Sequence, residues 1–307
     1  MNLILTSTSG GLDAAAIEPF FYSLRLSGCT APVAVFASSV SEDCRRLMRE
    51  HDASVIDYDY RGIRTLRSFS ARAKAGAGAV WRYYRHHRGE PRDERYLFFN
   101  NARFYEYRDY LLGLKEKPRF VFLVDIRDVV FQSDPFAYPF EPGLSVALEN
   151  RVKRIRHSWC GVKGMVEAAG VAEMLRLQNQ NIVCAGTILA DYDTMMRYLD
   201  LMTGRIRQRF FFGLLEGIDQ GLHTQFVHRG LLSPIHVFEN WNGPILTLDS
   251  ETVTPERKTR EGYLCNRDGS TVPIVHQWDR IPGLYREGDK IPACWKLCVT
   301  PGRRSSA

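Results

Sequence analysis

The first sixty residues alternate between short apolar runs and stretches with helical spacing. Residues 3–6, 33–36 and 55–56 have the apolar character of short buried strands. Apolar positions over residues 13–26 recur at helical intervals, and Ser41 can cap a second helix that has acids in its first turn. This alternation predicts parallel strands joined by right-handed crossovers.

Five consecutive apolar residues, 120–124, follow a predicted helix over residues 102–114. Such a run is typical of a strand that is covered on both faces, so we expect it at the centre of a parallel sheet. The pattern therefore predicts the α/β class. Further along the chain it predicts strands over residues 145–148, 182–189 and 271–276, and helices over residues 162–178, 191–202 and 219–227.

The predicted central strand ends in the acidic motif Asp125-Ile126-Arg127-Asp128. Ligands of open α/β sheets bind at the carboxyl ends of strands. Two carboxylates at such a position are costly unless a positive charge compensates them, and their hard oxygens suit magnesium or manganese. Alternatively, Asp128 caps a turn and Asp125 pairs with Arg127 or another arginine.

Four further motifs accompany the acidic motif in a fixed order. They are Ala102-Arg103 before it, then Ser133-Asp134-Pro135, Cys184-Ala185-Gly186 and Asp219-Gln220, with His276 near the C-terminus as a late histidine. In this order the chain resembles the GT-A glycosyltransferases, most closely the retaining type of bacterial galactosyltransferases and glycogenin.

The resemblance implies a GT-A fold (nucleotide-diphospho-sugar transferase-like), with a mixed, mainly parallel sheet flanked by helices. It implies a divalent cation (manganese or magnesium), a UDP- or GDP-linked sugar donor and a saccharide or lipid-linked acceptor. The implied roles are metal binding by Asp125, Asp128 and His276, donor binding by Thr6, Ser7, Arg103, Asp125, Ala185, Gly186 and Arg280, and catalysis by Asp219 and Gln220.

Three departures separate this chain from the family pattern. The acidic motif has two residues between its aspartates instead of one, and Cys184 stands where the family has asparagine. The glycine and lysine that usually follow the late histidine are missing, so Arg280 is the candidate cation for the donor phosphates.

Alternatives to a retaining glycosyltransferase stay open. Asp219 or Glu149 acting as a general base on the acceptor would give an inverting enzyme instead. A nucleotidyltransferase would share the acidic motif, but such enzymes carry a basic glycine-rich loop after the first strand, and residues 6–12 contain no basic residue. A non-catalytic binding protein on the same fold is the third interpretation.

Charge is concentrated in one segment of the chain. Residues 61–95 hold ten lysines and arginines against three acids, whereas the whole chain has a net charge of +6. The segment is either a solvated helix pair or a docking face for an anionic partner, such as a membrane surface or a phosphate-bearing acceptor. No nucleic-acid-binding motif accompanies it, so we expect no nucleic acid as partner.

Length and cysteine content complete the expectations. The 307 residues are enough for one α/β catalytic domain, expected over residues 1–300, with a disordered tail at residues 301–307. The seven cysteines are scattered and odd in number, which favours reduced thiols in a cytoplasm. The first residues read as a core strand and not as a secretory signal. We therefore expect a cytoplasmic enzyme of surface polysaccharide or glycoconjugate synthesis, peripheral at the inner membrane.

Overall fold

The computed structural model describes residues 1–61, 93–214, 216–249, 251–281, 284–285 and 288–299. The β-strands of this part are β1 (Leu3–Ser9), β2 (Val33–Ser38), β3 (Ala53–Asp57), β4 (Phe120–Val124), β5 (Val129–Phe131), β6 (Leu144–Leu148), β7 (Val183–Asp191), β8 (Ile235–Phe238), β9 (Ile245–Thr247) and β10 (Ile274–His276). Its α-helices are α1 (Ala14–Leu26), α2 (Glu42–Glu50), α3 (Phe99–Leu112), α4 (Trp159–Ala169), α5 (Val171–Leu177), α6 (Tyr192–Gln208), α7 (Phe210–Gly213), α8 (Ile218–His228) and α9 (Lys296–Val299).

Two of the sequence expectations fall outside the described residues. They are the tail at residues 301–307 and most of the basic segment, residues 62–92. Among the helices that are described, none has both the length and the apolar character that a membrane span requires.

Seven strands form one sheet in the order β3-β2-β1-β4-β7-β6-β8. The strands from β3 to β4 in this order pair in parallel, and so do β6 and β8. β7 runs antiparallel to both of its neighbours. The sheet is therefore mixed and mainly parallel, and β4 is its central strand, as the sequence predicts.

Local signals explain where the first helices begin. The Asp13 carboxylate accepts a hydrogen bond from the Ala16 amide at 2.8 Å, and the Ser41 hydroxyl accepts one from the Cys44 amide at 3.3 Å. Both are N-cap bonds that satisfy amide groups left free in the first helical turn. The predicted cap at Ser41 is confirmed.

The sheet is covered by helices on both faces, because neighbouring side chains of a strand point to opposite sides. Ile4 of β1 packs in one core cluster with Phe20 of α1. Leu5, the next residue, packs in another cluster with Phe104 of α3 and with α6 and α8. This double coverage explains why all five residues of β4 are buried.

The structure corrects two of the predicted elements. The single helix predicted over residues 162–178 is two helices, α4 and α5, which are separated by Gly170 at a φ of 88°. The helical apolar spacing continues across this glycine, but its left-handed backbone ends α4. Strand β1 extends beyond the predicted residues 3–6 to Ser9, so Ser7 also lies within it.

A second, three-stranded sheet has the order β5-β10-β9. β10 pairs with β5 in antiparallel register, and His276 lies opposite Val129. Since β5 begins just after the acidic motif, this pairing brings the end of β10 to the carboxyl end of β4.

Candidate active site

Two strand pairings assemble the three predicted metal ligands. In the main sheet, Val124 pairs with Thr187, and the Asp125 amide donates to the Gly186 carbonyl at 2.9 Å. In the small sheet, the Gln277 amide next to His276 donates to the Asp128 carbonyl at 2.8 Å. The two carboxylates and the imidazole therefore meet at the junction of the two sheets.

The ligand atoms of Asp125, Asp128 and His276 all lie within 4.8 Å of one another. His276 Nε2 is 3.5 Å from Asp128 Oδ1 and 3.9 Å from Asp125 Oδ2. Ligand atoms around one Mg²⁺ at about 2.1 Å lie roughly 3 to 4.2 Å apart, so these separations suit a shared cation.

Two of these atoms, Asp128 Oδ1 and His276 Nε2, are buried and make no regular hydrogen bond among the described residues, and they face each other only as a loose ion pair at 3.5 Å. Buried polar atoms are ordinarily paired, because leaving one unpaired costs about 1–3 kcal/mol. A divalent cation would satisfy both atoms at once. The donor set of two carboxylates and one imidazole therefore fits the metal that the sequence predicts.

The other nitrogen of the His276 ring is already occupied. His276 Nδ1 lies 3.1 Å from Cys184 Sγ, and both side chains are buried. A metal-binding histidine usually has its second ring nitrogen held by a neighbouring group, which fixes the orientation of the ring. Cys184, at the position where the family has asparagine, thus holds the imidazole with Nε2 toward the carboxylates.

Burial and neighbouring charges act against each other at this pair. Burial alone would lower the pKa of the His276 imidazole, but Cys184 and Asp128 outweigh it and raise this pKa well above its usual range. Burial also opposes ionisation of Asp128, yet His276 and Arg127 hold the pKa of its carboxyl below the usual value. Asp128 is therefore kept as a carboxylate.

Arg103, on α3, connects the metal ligands to α8. Its Nη1 donates to Asp125 Oδ1 at 2.5 Å, and its Nη2 lies 3.8 Å from Asp219 Oδ2. The guanidinium is buried together with Asp219. Burial raises the pKa of the Asp219 carboxyl despite the opposing effect of Arg103. The alternative in which Asp125 pairs with an arginine is thus observed, with Arg103 as the partner.

Glycine is required at position 186. A Cβ atom there would lie 2.6 Å from His276 Nε2 and 2.7 Å from Asp125 Oδ2, well inside van der Waals contact. The neighbouring Ala185 amide donates to Gln220 Oε1 at 3.4 Å, and Gln220 Nε2 donates to the Val183 carbonyl. Gln220 therefore attaches the start of α8 to the start of β7.

The N-terminus of α8 is positioned by two glycines that the sequence analysis did not single out. A Cβ on Gly221 would lie 2.1 Å from the Gly164 carbonyl oxygen, so α8 and α4 touch backbone to backbone. Gly217 occupies the N-cap position of α8. Asp219 lies in the first turn, where the positive end of the helix dipole favours a carboxylate.

Thr6 and Ser7 point to opposite faces of the sheet. Ser7 lies on the same side of the sheet as Arg103, because both residues interact with Tyr107. Burial raises the pKa of Tyr107 to about 12, and Arg103 and Ser7 both act to lower it. Thr6 is buried one residue earlier, on the face that carries α1. The structure thus brings only Ser7 of this pair toward the other site residues.

Arg280 lies at the open side of the site. Its guanidinium is 3.7 Å from Asp279 and 4.0 Å from Asp249, and about half of the side chain is exposed. Arg127 turns away from the aspartates that flank it and donates to Asp279 at 2.8 Å. Glu149, at the end of β6, has a carboxyl pKa that burial raises.

Comparison with known proteins identifies the class of fold. The chain has the GT-A fold of the glycosyltransferases, which confirms the expected fold class. It is similar to a crystal structure of an active-site mutant of the galactosyltransferase LgtC, with a TM-score of 0.50, 11% identity and coverage of 97% of this chain and 94% of that one. LgtC in complex with donor and acceptor sugar analogues aligns with a TM-score of 0.49, 12% identity and the same coverage. No family model and no curated protein sequence matches the chain.

Proposed function

We propose that this protein is a metal-dependent glycosyltransferase that moves a sugar from a UDP- or GDP-linked donor to a saccharide or lipid-linked acceptor. The observation that carries the proposal is the set of Asp125, Asp128 and His276. On a GT-A fold, these residues converge at the carboxyl end of the central strand, and two of their buried ligand atoms make no regular hydrogen bond among the described residues. Ligand sites of open α/β sheets occupy this position.

In this proposal Asp125, Asp128 and His276 hold a manganese or magnesium ion. When bound, the ion supplies Lewis-acid stabilisation of the charge that develops on the departing diphosphate. Cys184 keeps the imidazole turned toward the carboxylates. Arg103 holds Asp125 in place, so that the carboxylate is oriented before any ligand arrives.

The remaining residues bind the donor and orient its sugar. The lack of a side chain at Gly186 leaves room for His276 and Asp125, and the donor is proposed to bind next to these ligands, along the backbone of Ala185 and Gly186. Ser7 lies on the Arg103 side of the sheet, toward the ribose. Arg280, half exposed beside the metal ligands, supplies directed hydrogen bonds to the donor phosphates.

Asp219 and Gln220 are the proposed catalytic residues. Asp219 is buried next to Arg103 in the first turn of α8. There a carboxylate can orient sugar hydroxyls and stabilise positive charge at the anomeric carbon. Retention is the proposed stereochemistry, with Asp219 or Glu149 as the general base in the inverting alternative. The anomeric configuration of the product, read by NMR, separates the two outcomes.

The wider assignment follows from the same reasoning. We propose residues 1–300 as one catalytic domain that acts in surface polysaccharide or glycoconjugate synthesis at the cytoplasmic side of a membrane.

The test combines donor binding with one substitution. Wild-type protein should bind one of the UDP- or GDP-sugars in calorimetry with Mn²⁺ present and should lose this binding with a chelator. Asp128→Ala should lower donor hydrolysis or transfer by about 10³-fold, because a buried metal ligand is removed. Asp193→Ala, at an aspartate whose side chain is 78% exposed, is the matched control.

Two results would contradict the proposal. Wild-type activity of Asp128→Ala in chelator would reject the metal site. Failure of the wild-type protein to bind any donor would instead favour a binding protein on the same fold.

A further inference from the structure

A basic surface follows the carboxyl end of β6. The segment 151–160, which we call the 151–160 surface, contains four arginines and lysines and no acidic residue. Two of its apolar side chains face the solvent: Val152 is 70% exposed and Trp159 is 68% exposed. Ile155 between them is buried, so the segment is fastened to the protein while its outer face stays open.

The cations of this surface have few negative neighbours. Among the described residues, Arg151, Arg154 and Arg156 form no ion pair with a carboxylate. Arg154 and Arg156 instead donate to the neutral amide oxygens of Asn181 and Asn179. Their positive charge is therefore left uncompensated by the protein, and it attracts an anionic partner.

Lys153 is the exception, and it links the surface to the candidate active site. Its Nζ lies 2.6 Å from Asp249 Oδ2 and 4.0 Å from Glu149 Oε2. Arg280 lies on the other side of Asp249, at 4.0 Å. The 151–160 surface therefore borders the open side of the site.

A neighbouring helix end adds apolar area to this surface. The Arg156 amide donates to the Gln178 carbonyl just after α5, at 3.1 Å. This end of α5 exposes Leu175, which is 53% accessible, and the side chain of Arg176. Exposed tryptophan and aliphatic side chains among arginines are the combination that a membrane interface favours.

We propose that the 151–160 surface docks this protein on an anionic lipid membrane. The cations attract the negatively charged headgroups, and Trp159 and Val152 enter the boundary between headgroups and acyl chains. A nucleic acid would also attract the cations and stack on Trp159, but Val152 and Leu175 would gain nothing from a phosphate backbone.

The docking site differs from the basic segment at residues 61–95, most of which lies outside the described residues. Its position has one consequence that rests on the proposed function. A protein bound through the 151–160 surface would hold the open side of its active site beside the membrane. A lipid-linked acceptor could then reach the site without leaving the bilayer.

The experiment is co-sedimentation with vesicles, carried out in chelator and without any donor sugar, so that its outcome is independent of catalysis. Wild-type protein should bind vesicles of phosphatidylcholine mixed with phosphatidylglycerol, should bind pure phosphatidylcholine much more weakly, and should release as salt is raised. The double variant Arg151→Glu/Arg156→Glu should bind the anionic vesicles at least about tenfold more weakly. Trp159→Ala should bind them about fivefold more weakly.

Two control variants match these changes elsewhere on the surface. Arg46→Glu alters an arginine of α2 whose side chain is 62% exposed, and Phe211→Ala removes an aromatic ring that is 50% exposed on α7. Both controls should bind vesicles as the wild type does. Circular dichroism shows whether each variant is folded, and if the double variant unfolds, Trp159→Ala alone decides.

Three outcomes would overturn the proposal. One is wild-type vesicle binding by both the charge-reversal and the Trp159 variants, which would place any membrane contact elsewhere, such as residues 61–95. Another is equal binding of the wild type to neutral and anionic vesicles. The third is that the wild type binds a single-stranded oligonucleotide but not anionic vesicles, and that Arg151→Glu/Arg156→Glu loses this oligonucleotide binding.

Discussion

A buried carboxylate lies at each end of helix α8, but the two carboxylates differ greatly in their hydrogen-bond partners. At the C-terminal end, Arg229 donates two hydrogen bonds to Glu173 of α5, each at 2.6 Å, and Gln225 adds a third at 3.3 Å. At the N-terminal end, the guanidinium of Arg103 lies 3.8 Å from Asp219 and is already bonded to Asp125.

The pKa values of the two carboxyls record this difference. The bonds from Arg229 lower the pKa of Glu173 to about 2, whereas burial raises the pKa of Asp219. Glu173 is satisfied by its own neighbours and holds two helices together. The Arg103 guanidinium is 3.8 Å from Asp219, too far for a strong hydrogen bond, so the buried charge of Asp219 is less well compensated than that of Glu173. Glu173 is thus a structural carboxylate, whereas Asp219 is the carboxylate that the proposed function assigns to the ligand.

The sharpest test exchanges the carboxylate for an amide at each end of the helix. Asp219→Asn should lower the rate of sugar transfer by about 10²–10³-fold, the range for losing one preorganised electrostatic contact. Its unfolding free energy should change little, because a buried charge with a distant partner is removed while the buried Arg103 keeps its close partner Asp125. Glu173→Gln is the matched control and should transfer sugar at the wild-type rate. Equal rates of sugar transfer in Asp219→Asn and Glu173→Gln would contradict the functional difference between the two ends of α8.

The second-largest effect is expected on Mn²⁺ binding when a side chain is added at Gly186, next to the metal ligands. Gly186→Ala places a methyl group against His276 and Asp125 and should weaken Mn²⁺ binding by about 10–100-fold, as displaced ligands do. Gly204→Ala in α6 is the control, because its Cβ would meet no atom within 4 Å. That control should bind Mn²⁺ normally and be more stable by up to about 1 kcal/mol. Unchanged Mn²⁺ affinity in Gly186→Ala, measured by calorimetry, would count against the metal site.

Much of the fold follows from local patterns. Strands β1 to β4 are short apolar runs between helices with clear start signals such as Ser41, so their existence and parallel order could be predicted. The break between α4 and α5 could not, because apolar spacing continues through Gly170 and only the backbone conformation there separates two helices. Helix α6 extends six residues beyond its predicted end at Met202, to Gln208.

The site was predictable where a residue follows a strand, and less so where it depends on packing. Asp125 and Asp128 are marked by the end of the central strand, and the order of motifs points to His276. The bond between Arg103 and Asp125 arises only when α3 packs against the sheet at β1, next to β4, so spacing cannot reveal it. A count of charges along the sequence indicates residues 61–95, where cations are most numerous. It does not reveal the 151–160 surface, because the exposure of the apolar groups beside its cations depends on the fold.

The smallest effect is expected in the stability of Glu173→Gln. At neutral pH this variant should unfold with a free energy lower by about 1.5 kcal/mol, near the low end for hydrogen bonds to a charged group. The low value is expected because the Arg229 side chain is 41% exposed and water screens the pair.

The pH dependence of this difference follows from the lowered pKa of Glu173. The carboxylate is favoured in the folded state, so its contribution is complete above the ordinary pKa of 4.5 and is lost as the pH falls toward about 2. Urea unfolding of wild type and Glu173→Gln should therefore differ at pH 7 and converge in acid, since the other acids titrate alike in both. If the difference in unfolding free energy stayed constant from neutral pH into acid, the charge of the Glu173–Arg229 pair would not stabilise the folded state. Glu173 could then no longer be called the structural carboxylate of the two.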